Sequence, residues 1–171
     1  MFIEKIDALI RKMVLSKNWD IQAAIIIFIV AHFVSFPSYN FQYENWSDQY
    51  EKSTKIFSNM EFGSGLSHKA KINVRITVPI LIKIFNLSPM GLILLKSLVG
   101  LIFIYLLLKM FSLILEDKYL AMILTISCAF VGFGKVAVLE QRQIFDELSL
   151  MLVLASFLSR NFFIALFCLI S

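Results

Sequence analysis

Residues 89–111 read PMGLILLKSLVGLIFIYLLLKMF, an apolar run that carries charge only at two lysines. A bilayer crossing needs roughly 20 consecutive apolar residues, so this run is long enough to span as a helix. Ser88 and Pro89 mark its start, because Ser can cap the first amides and Pro is tolerated in the first turn. Lys96 falls roughly 10 Å inside the run at 1.5 Å per residue, near enough to the surface for its side chain to reach it.

The composition of the whole chain indicates lipid as its solvent. Of the 171 residues, 59% are hydrophobic and 16% charged, 17 are Phe, and the mean hydropathy is +0.81. A water-soluble domain has about a quarter of its residues charged, and one small core cannot hide this much bulky apolar surface. A soluble enzyme is nearly excluded, and disorder is excluded. The net charge of +4 predicts no nucleic-acid partner, because Lys and Arg cluster beside hydrophobic segments as topology signals do.

The amino terminus predicts an amphipathic helix followed by a first span. In residues 1–18, apolar side chains recur at helical spacing between charges, which favours a helix on the cytoplasmic membrane surface over a signal peptide. The span runs from Ile21 to about Phe36, with Trp19 at an interface position. Four Lys and Arg residues before it predict a cytoplasmic amino terminus. Residues 19–171 are predicted to form one transmembrane helical domain.

Residues 37–88 are predicted to form a long exterior loop, because charged and small polar residues interrupt the apolar pattern. A loop of more than about 15 residues usually carries function or contains short elements of its own. Residues 48–60 can form a polar helix. The apolar stretch from Val74 to Phe85 is too short and too charged to cross, so we expect it to lie in the outer interface.

The second half of the chain predicts two further spans, at about residues 119–134 and 144–158. A cytoplasmic turn at Arg160 is preferred to one long final span, which would place Arg160 near the bilayer centre at about 2.5 to 3.5 kcal/mol. Residues 162–171 then form a partial fifth helix of roughly 15 Å. We expect either a truncated form of a longer polytopic protein or a segment that packs on another subunit. The predicted fold is all-α and polytopic, with about four spans.

Ionisable groups gather on the predicted exterior side. Asp48 and Tyr50 follow the first span, Arg75 and Lys83 lie on the interfacial segment, and Asp146 opens the fourth span. A carboxylate there can take a proton from a hydroxyl nucleophile, while Arg or Lys stabilises a departing phosphate. The same charges are also ordinary for loops and helix ends. The sequence shows no zinc-ligand spacing, phosphate-binding Gly loop or nucleophile elbow.

Four features follow one another along the chain. A first span is followed by the acidic-aromatic element WSDQY at residues 46–50, then by RITVP at 75–79, and then, after paired spans, by an aspartate in IFDEL at 144–148. In this order they resemble the amino-terminal half of bacterial GT-C class membrane glycosyltransferases and their uncharacterised relatives. The resemblance covers most of residues 21–160.

The resemblance implies transfer of a sugar from a polyprenyl-phosphate donor to an acceptor on the non-cytoplasmic side of the bacterial inner membrane. It makes Asp48 the catalytic base or a support of the active site, Asp146 a second carboxylate and Arg75 the phosphate-side cation. Lys83 and Tyr50 are expected to bind substrate with them. The implied partners are the bilayer, a lipid-linked sugar and another membrane subunit. The cofactor is left unknown: some family members use a divalent metal, but the sequence shows no clear ligand cluster.

Two other interpretations remain open. Members of that family carry more spans than this sequence shows, so catalysis depends on a further half or on a partner. The chief alternative is a non-enzymatic small membrane subunit that docks on partner proteins through its last helix and its long exterior loop. A transporter is less favoured, because the sequence shows neither paired broken helices nor acidic residues buried within spans.

Overall fold

A computed structural model of the chain describes residues 2–35, 50–51, 77–131 and 144–159. Within these ranges every regular element is an α-helix, which confirms the all-α prediction. The helices are α1 Phe2–Val14, α2 Trp19–Ser35, α3 Thr77–Phe85, α4 Pro89–Leu115, α5 Lys118–Phe130 and α6 Ile144–Leu158. The chain divides into two compact units, a larger one of Met1–Tyr39 with Leu98–Ser171 and a smaller one of Asn40–Ser97.

Among the described helices, α4 alone is long and apolar enough to cross a membrane by length and composition. It has 27 residues, and its most apolar window has a mean hydropathy of 2.5. It begins at Pro89 as predicted but continues past the expected end near Phe111 to Leu115. Helices α2, α5 and α6 are apolar but shorter, with 17, 13 and 15 residues. One candidate span is therefore present in the described part, and the other three predicted spans stay predictions.

The ends of α3 and α4 have clear local causes. The Ser88 hydroxyl accepts a hydrogen bond from the Gly91 N–H at 3.1 Å, which confirms the predicted N-cap of α4. After α3, Asn86 has a φ of 47°, and after α4, Glu116 has a φ of 54°. A short polar Asn tolerates this left-handed conformation, whereas a longer side chain pays roughly 1–2 kcal/mol for it. Both helices therefore end in a left-handed residue without a glycine.

The core of the larger unit lies between α2, α5 and the second half of α4. Ala23, Ala24 and Ala31 on α2 are at most 2% exposed, and such small residues let neighbouring helices approach closely. Helix α1 packs against both α2 and α5. The other buried apolar residues of this core are Trp19, Ile27, Phe103, Ile104, Leu107, Leu108, Ala121, Met122 and Ala129.

The opposite faces of these helices expose large apolar side chains. On α2 and α4 they recur every four residues, so that each of these two helices carries one continuous apolar stripe. Soluble monomers rarely expose contiguous patches of this kind, which are typical of surfaces that face lipid or another protein. The stripes are formed by Ile21, Ile25, Ile29 and Phe33 on α2 and by Met90, Leu94, Leu98 and Ile102 on α4.

Candidate functional site

The structure describes the predicted site residues only in part. Asp48 and Arg75 lie outside the described residues, and Asp146 lies in the first turn of α6 with its side chain outside the description. Tyr50 is half-buried, and Lys83 is exposed on α3. The predicted interfacial segment is helical from Thr77, and the residues before it fall outside the description. The grouping of these five side chains into one site therefore stays a prediction.

Lys96 is a candidate site residue whose burial the sequence did not predict. Its side chain is 2% exposed, although its position in α4 allowed it to reach the membrane surface. It lies on the inner face of α4 with Leu92, Ile93 and Val99, all of them buried. The Lys96 residue takes part in an interaction inside the protein. An ionisable group enclosed within a candidate span marks a functional site by default, because the membrane interior disfavours charge.

An ion pair between Asp20 and Lys109 joins α2 to α4 in the larger unit. The ammonium nitrogen of Lys109 lies 2.5 Å from a carboxylate oxygen of Asp20, and Asp20 is 8% exposed. The other carboxylate oxygen of Asp20 accepts a hydrogen bond from the Ile21 N–H at 2.9 Å. Lys109 also lies 5.7 Å from the centroid of the Tyr105 ring. This arrangement holds the start of α2 against the last third of α4.

A cation–aromatic contact lies at the same end of this unit. The Lys118 ammonium, in the first residue of α5, lies 5.4 Å from the centroid of the Trp19 ring. It also donates a hydrogen bond to the Val14 carbonyl oxygen at 3.4 Å. Trp and Lys are typical of the level of the lipid headgroups. The starts of α2 and α5 and the end of α1 therefore meet where the sequence predicts a membrane interface.

His32 and Cys128 are the histidine and the cysteine in the described part of the chain. The Nδ1 of His32 lies 2.9 Å from the Phe28 carbonyl oxygen, and the centroids of the His32 and Phe28 rings lie 4.1 Å apart. Cys128 is a half-buried free thiol. Within the described ranges, no group of three or more His, Cys, Asp or Glu residues is placed to hold a metal ion.

Comparison with known proteins gives no relative. No family model matches the chain, and no curated protein or solved structure matches it significantly. The function therefore has to be inferred from the residues of this chain.

Proposed function

We propose that this chain belongs to a membrane glycosyltransferase of the GT-C type that uses a polyprenyl-phosphate-linked sugar on the non-cytoplasmic side. The observation that carries the proposal is a lysine enclosed on the inner face of α4, the helix that is long enough to cross a membrane. Ionisable groups in such positions mark substrate or ion pathways. A donor whose phosphate is held at the membrane surface requires a cation close to that surface, and Lys96 lies roughly 10 Å from the start of α4.

The exposed apolar stripes of α2 and α4 support a membrane substrate. A polyprenyl chain keeps its phosphate and sugar at the membrane surface, so the acceptor has to meet the donor at the interface. The predicted interfacial segment provides cations at that level, and Lys83 is exposed on its helix α3. Only three residues, Asn86, Leu87 and Ser88, separate α3 from α4.

The proposed chemistry assigns one role to each predicted residue. Asp48 takes the proton from the acceptor hydroxyl, whose oxygen forms a bond to the anomeric carbon of the sugar. The bond from that carbon to the phosphate oxygen breaks, and its electron pair leaves with the polyprenyl phosphate. Arg75 and Lys83 stabilise the departing phosphate, which needs no strong general acid. Tyr50 helps to hold the substrate, and Asp146 supplies the second carboxylate.

Asp48→Asn tests the proposed base in membranes that contain the full chain. The readout is transfer of label from a panel of polyprenyl-phosphate sugars to acceptor, and we expect a loss of about 10²-fold or more. Asp117→Asn is the matched control, because it makes the same chemical change at an N-cap where Asn functions as well as Asp. Unchanged turnover in Asp48→Asn would remove the assignment. No transfer by wild-type chain, together with copurification of a membrane partner, would favour the non-enzymatic subunit.

Lys96→Met separates a role in the site from a role in packing. We expect this variant to lose transfer and to keep the helical content of the wild type, with some loss of thermal stability, since the buried Lys96 has an interaction partner that Met leaves without its bond. Lys96→Arg, which keeps the charge, is the companion variant and is expected to retain part of the activity. Full activity in Lys96→Met would separate Lys96 from the proposed function.

The proposed orientation has a test of its own. With Cys128 and Cys168 replaced by Ser, single cysteines at Ser58 and Ser112 are treated with a membrane-impermeant thiol reagent in intact cells. We expect labelling at position 58 from outside, and labelling at position 112 only after the membrane is opened, because the positive-inside rule places the amino terminus in the cytoplasm. The reverse pattern would contradict both the orientation and the exterior site.

A further inference from the structure

An apolar groove of about 630 Å³ lies between α1, α2 and α5 in the larger unit. This volume falls within the roughly 300–1,000 Å³ that is usual for sites that bind small ligands. Its floor is buried, whereas Leu9 and Ile26 on its walls are exposed. The apolar side chains that line the groove include Leu9, Met13, Ile26, Ile27, Met122 and Ile126.

One margin of the groove is polar. Lys12, Ser16 and Gln22 line it, and the Ser16 hydroxyl donates a hydrogen bond to the Gln22 side-chain oxygen at 3.0 Å. Lys12 is exposed and has no carboxylate partner among the residues that the structure describes. Its neighbour Arg11 differs, because Asp7 lies 2.7 Å away and this hydrogen bond raises the pKa of the Arg11 guanidinium. The positive charge that remains at this margin is that of Lys12.

We propose that the groove binds one acyl chain of an anionic phospholipid, with the lipid phosphate paired to Lys12. A phospholipid joins an anionic head to an apolar chain, and the groove joins a cationic margin to apolar walls in the same way. The contact between Trp19 and Lys118 lies where the starts of α2 and α5 meet, and a lipid headgroup is expected at this level. Basic residues on a surface helix attract anionic lipids, and Lys12 lies in the last turn of α1. The proposal does not depend on glycosyl transfer.

Native mass spectrometry of the full chain in mild detergent tests the head of the lipid. The probes are phosphatidylglycerol and phosphatidylcholine with identical acyl chains, and we expect the wild type to retain more phosphatidylglycerol. Lys12→Glu is expected to lower that retention about five-fold or more, since one cation near the surface contributes about 1 kcal/mol. Lys5→Glu is the matched control on the same helix, away from the groove, and is expected to stay near wild type.

A second pair of variants tests the acyl chain. Ile26→Trp fills the groove and is expected to abolish retention of phosphatidylglycerol. Ile29→Trp places the same side chain on the exposed stripe of α2, outside the groove, and is expected to bind as wild type. Ile26 and Ile29 are 46% and 58% exposed, so both variants are expected to keep the helical circular dichroism of the wild type.

Four results would overturn the proposal. They are equal retention of the two lipids by wild type, equal losses in Lys12→Glu and Lys5→Glu, wild-type retention in Ile26→Trp, and displacement of phosphatidylglycerol by equimolar polyprenyl phosphate. The last result would assign the groove to the sugar carrier instead of a phospholipid. Loss of glycosyl transfer in Asp48→Asn leaves lipid retention unchanged, so the two proposals can fail separately.

Discussion

Removing Lys109 from the Asp20–Lys109 ion pair is expected to cost more folding stability than removing the charge of Asp20. Lys109→Met leaves an Asp20 side chain that is 11% exposed, with the Ile21 N–H as its described donor. Asp20→Asn instead leaves a lysine whose side chain is 40% exposed and can turn to water. The same amide donor can still bond to the Asn side chain. We therefore expect the lysine variant to be the less stable of the two.

The magnitude follows from the burial of each partner. Removing one partner of a fully buried pair costs about 3–5 kcal/mol, whereas exposed pairs contribute at most about 1 kcal/mol. The carboxylate of Asp20 resembles a partner in a buried pair, whereas the ammonium of Lys109 is closer to a partner in an exposed pair. We expect a loss of about 2–3 kcal/mol for Lys109→Met and about 1 kcal/mol for Asp20→Asn. The double variant is expected to lose about 1–2 kcal/mol less than the sum of the single losses.

Unfolding of the full chain by added sodium dodecyl sulfate in mixed micelles, followed by far-ultraviolet circular dichroism, measures these differences. Lys109→Arg is the control, because it keeps the charge opposite Asp20, and its stability is expected to stay near wild type. An equal loss of stability in Asp20→Asn and Lys109→Met would contradict the unequal burial of the two partners. A double variant whose loss equals the sum of the two single losses within about 0.3 to 0.5 kcal/mol would contradict the ion pair, since coupled charges do not act independently.

The helix ends provide further tests in the same unfolding assay. Asp117→Ala is expected to lose about 1 kcal/mol, because Asp117 accepts the N–H groups of Tyr119 and Leu120 at 2.8 and 3.1 Å, while Asp117→Asn keeps the cap. Glu116→Gly is expected to gain about 0.5–1 kcal/mol by relieving a positive φ, and a loss would contradict this. Asn86→Gly is expected to change stability by less than about 0.5 kcal/mol, because Asn already tolerates that conformation.

The start of α4 could be predicted because its causes are local. Ser88 and Pro89 satisfy the requirements of a first helical turn whatever surrounds them. The end could not be placed, because no glycine or proline follows the apolar run. The helix continues until Glu116 turns left-handed and Asp117 caps the next helix. That boundary depends on two residues acting together, which hydropathy does not show.

The meeting of the helix ends could be predicted only in part. Trp19 and Lys118 carry the interfacial signature in the sequence, and the structure places the ammonium over the indole ring. The pairing of Asp20 with Lys109 joins residues that are far apart in the chain and depends on the contact of α2 with α4. The predicted exterior site depends on the same kind of distant contact, and sequence spacing alone does not provide it.

The burial of Lys96 shows where hydropathy stops being informative. The position of Lys96 along α4 follows from counting residues, but Leu94 and Leu98 on the outer face are as apolar as Leu92 and Val99 on the inner one. Hydropathy therefore cannot assign the faces, which packing decides. A helix that served only as an anchor would gain from an apolar residue here, because a charged side chain inside a span is disfavoured. Lys96 already takes part in an interaction inside the protein, so the role in substrate binding that we propose for it is decided by the transfer activities of Lys96→Met and Lys96→Arg.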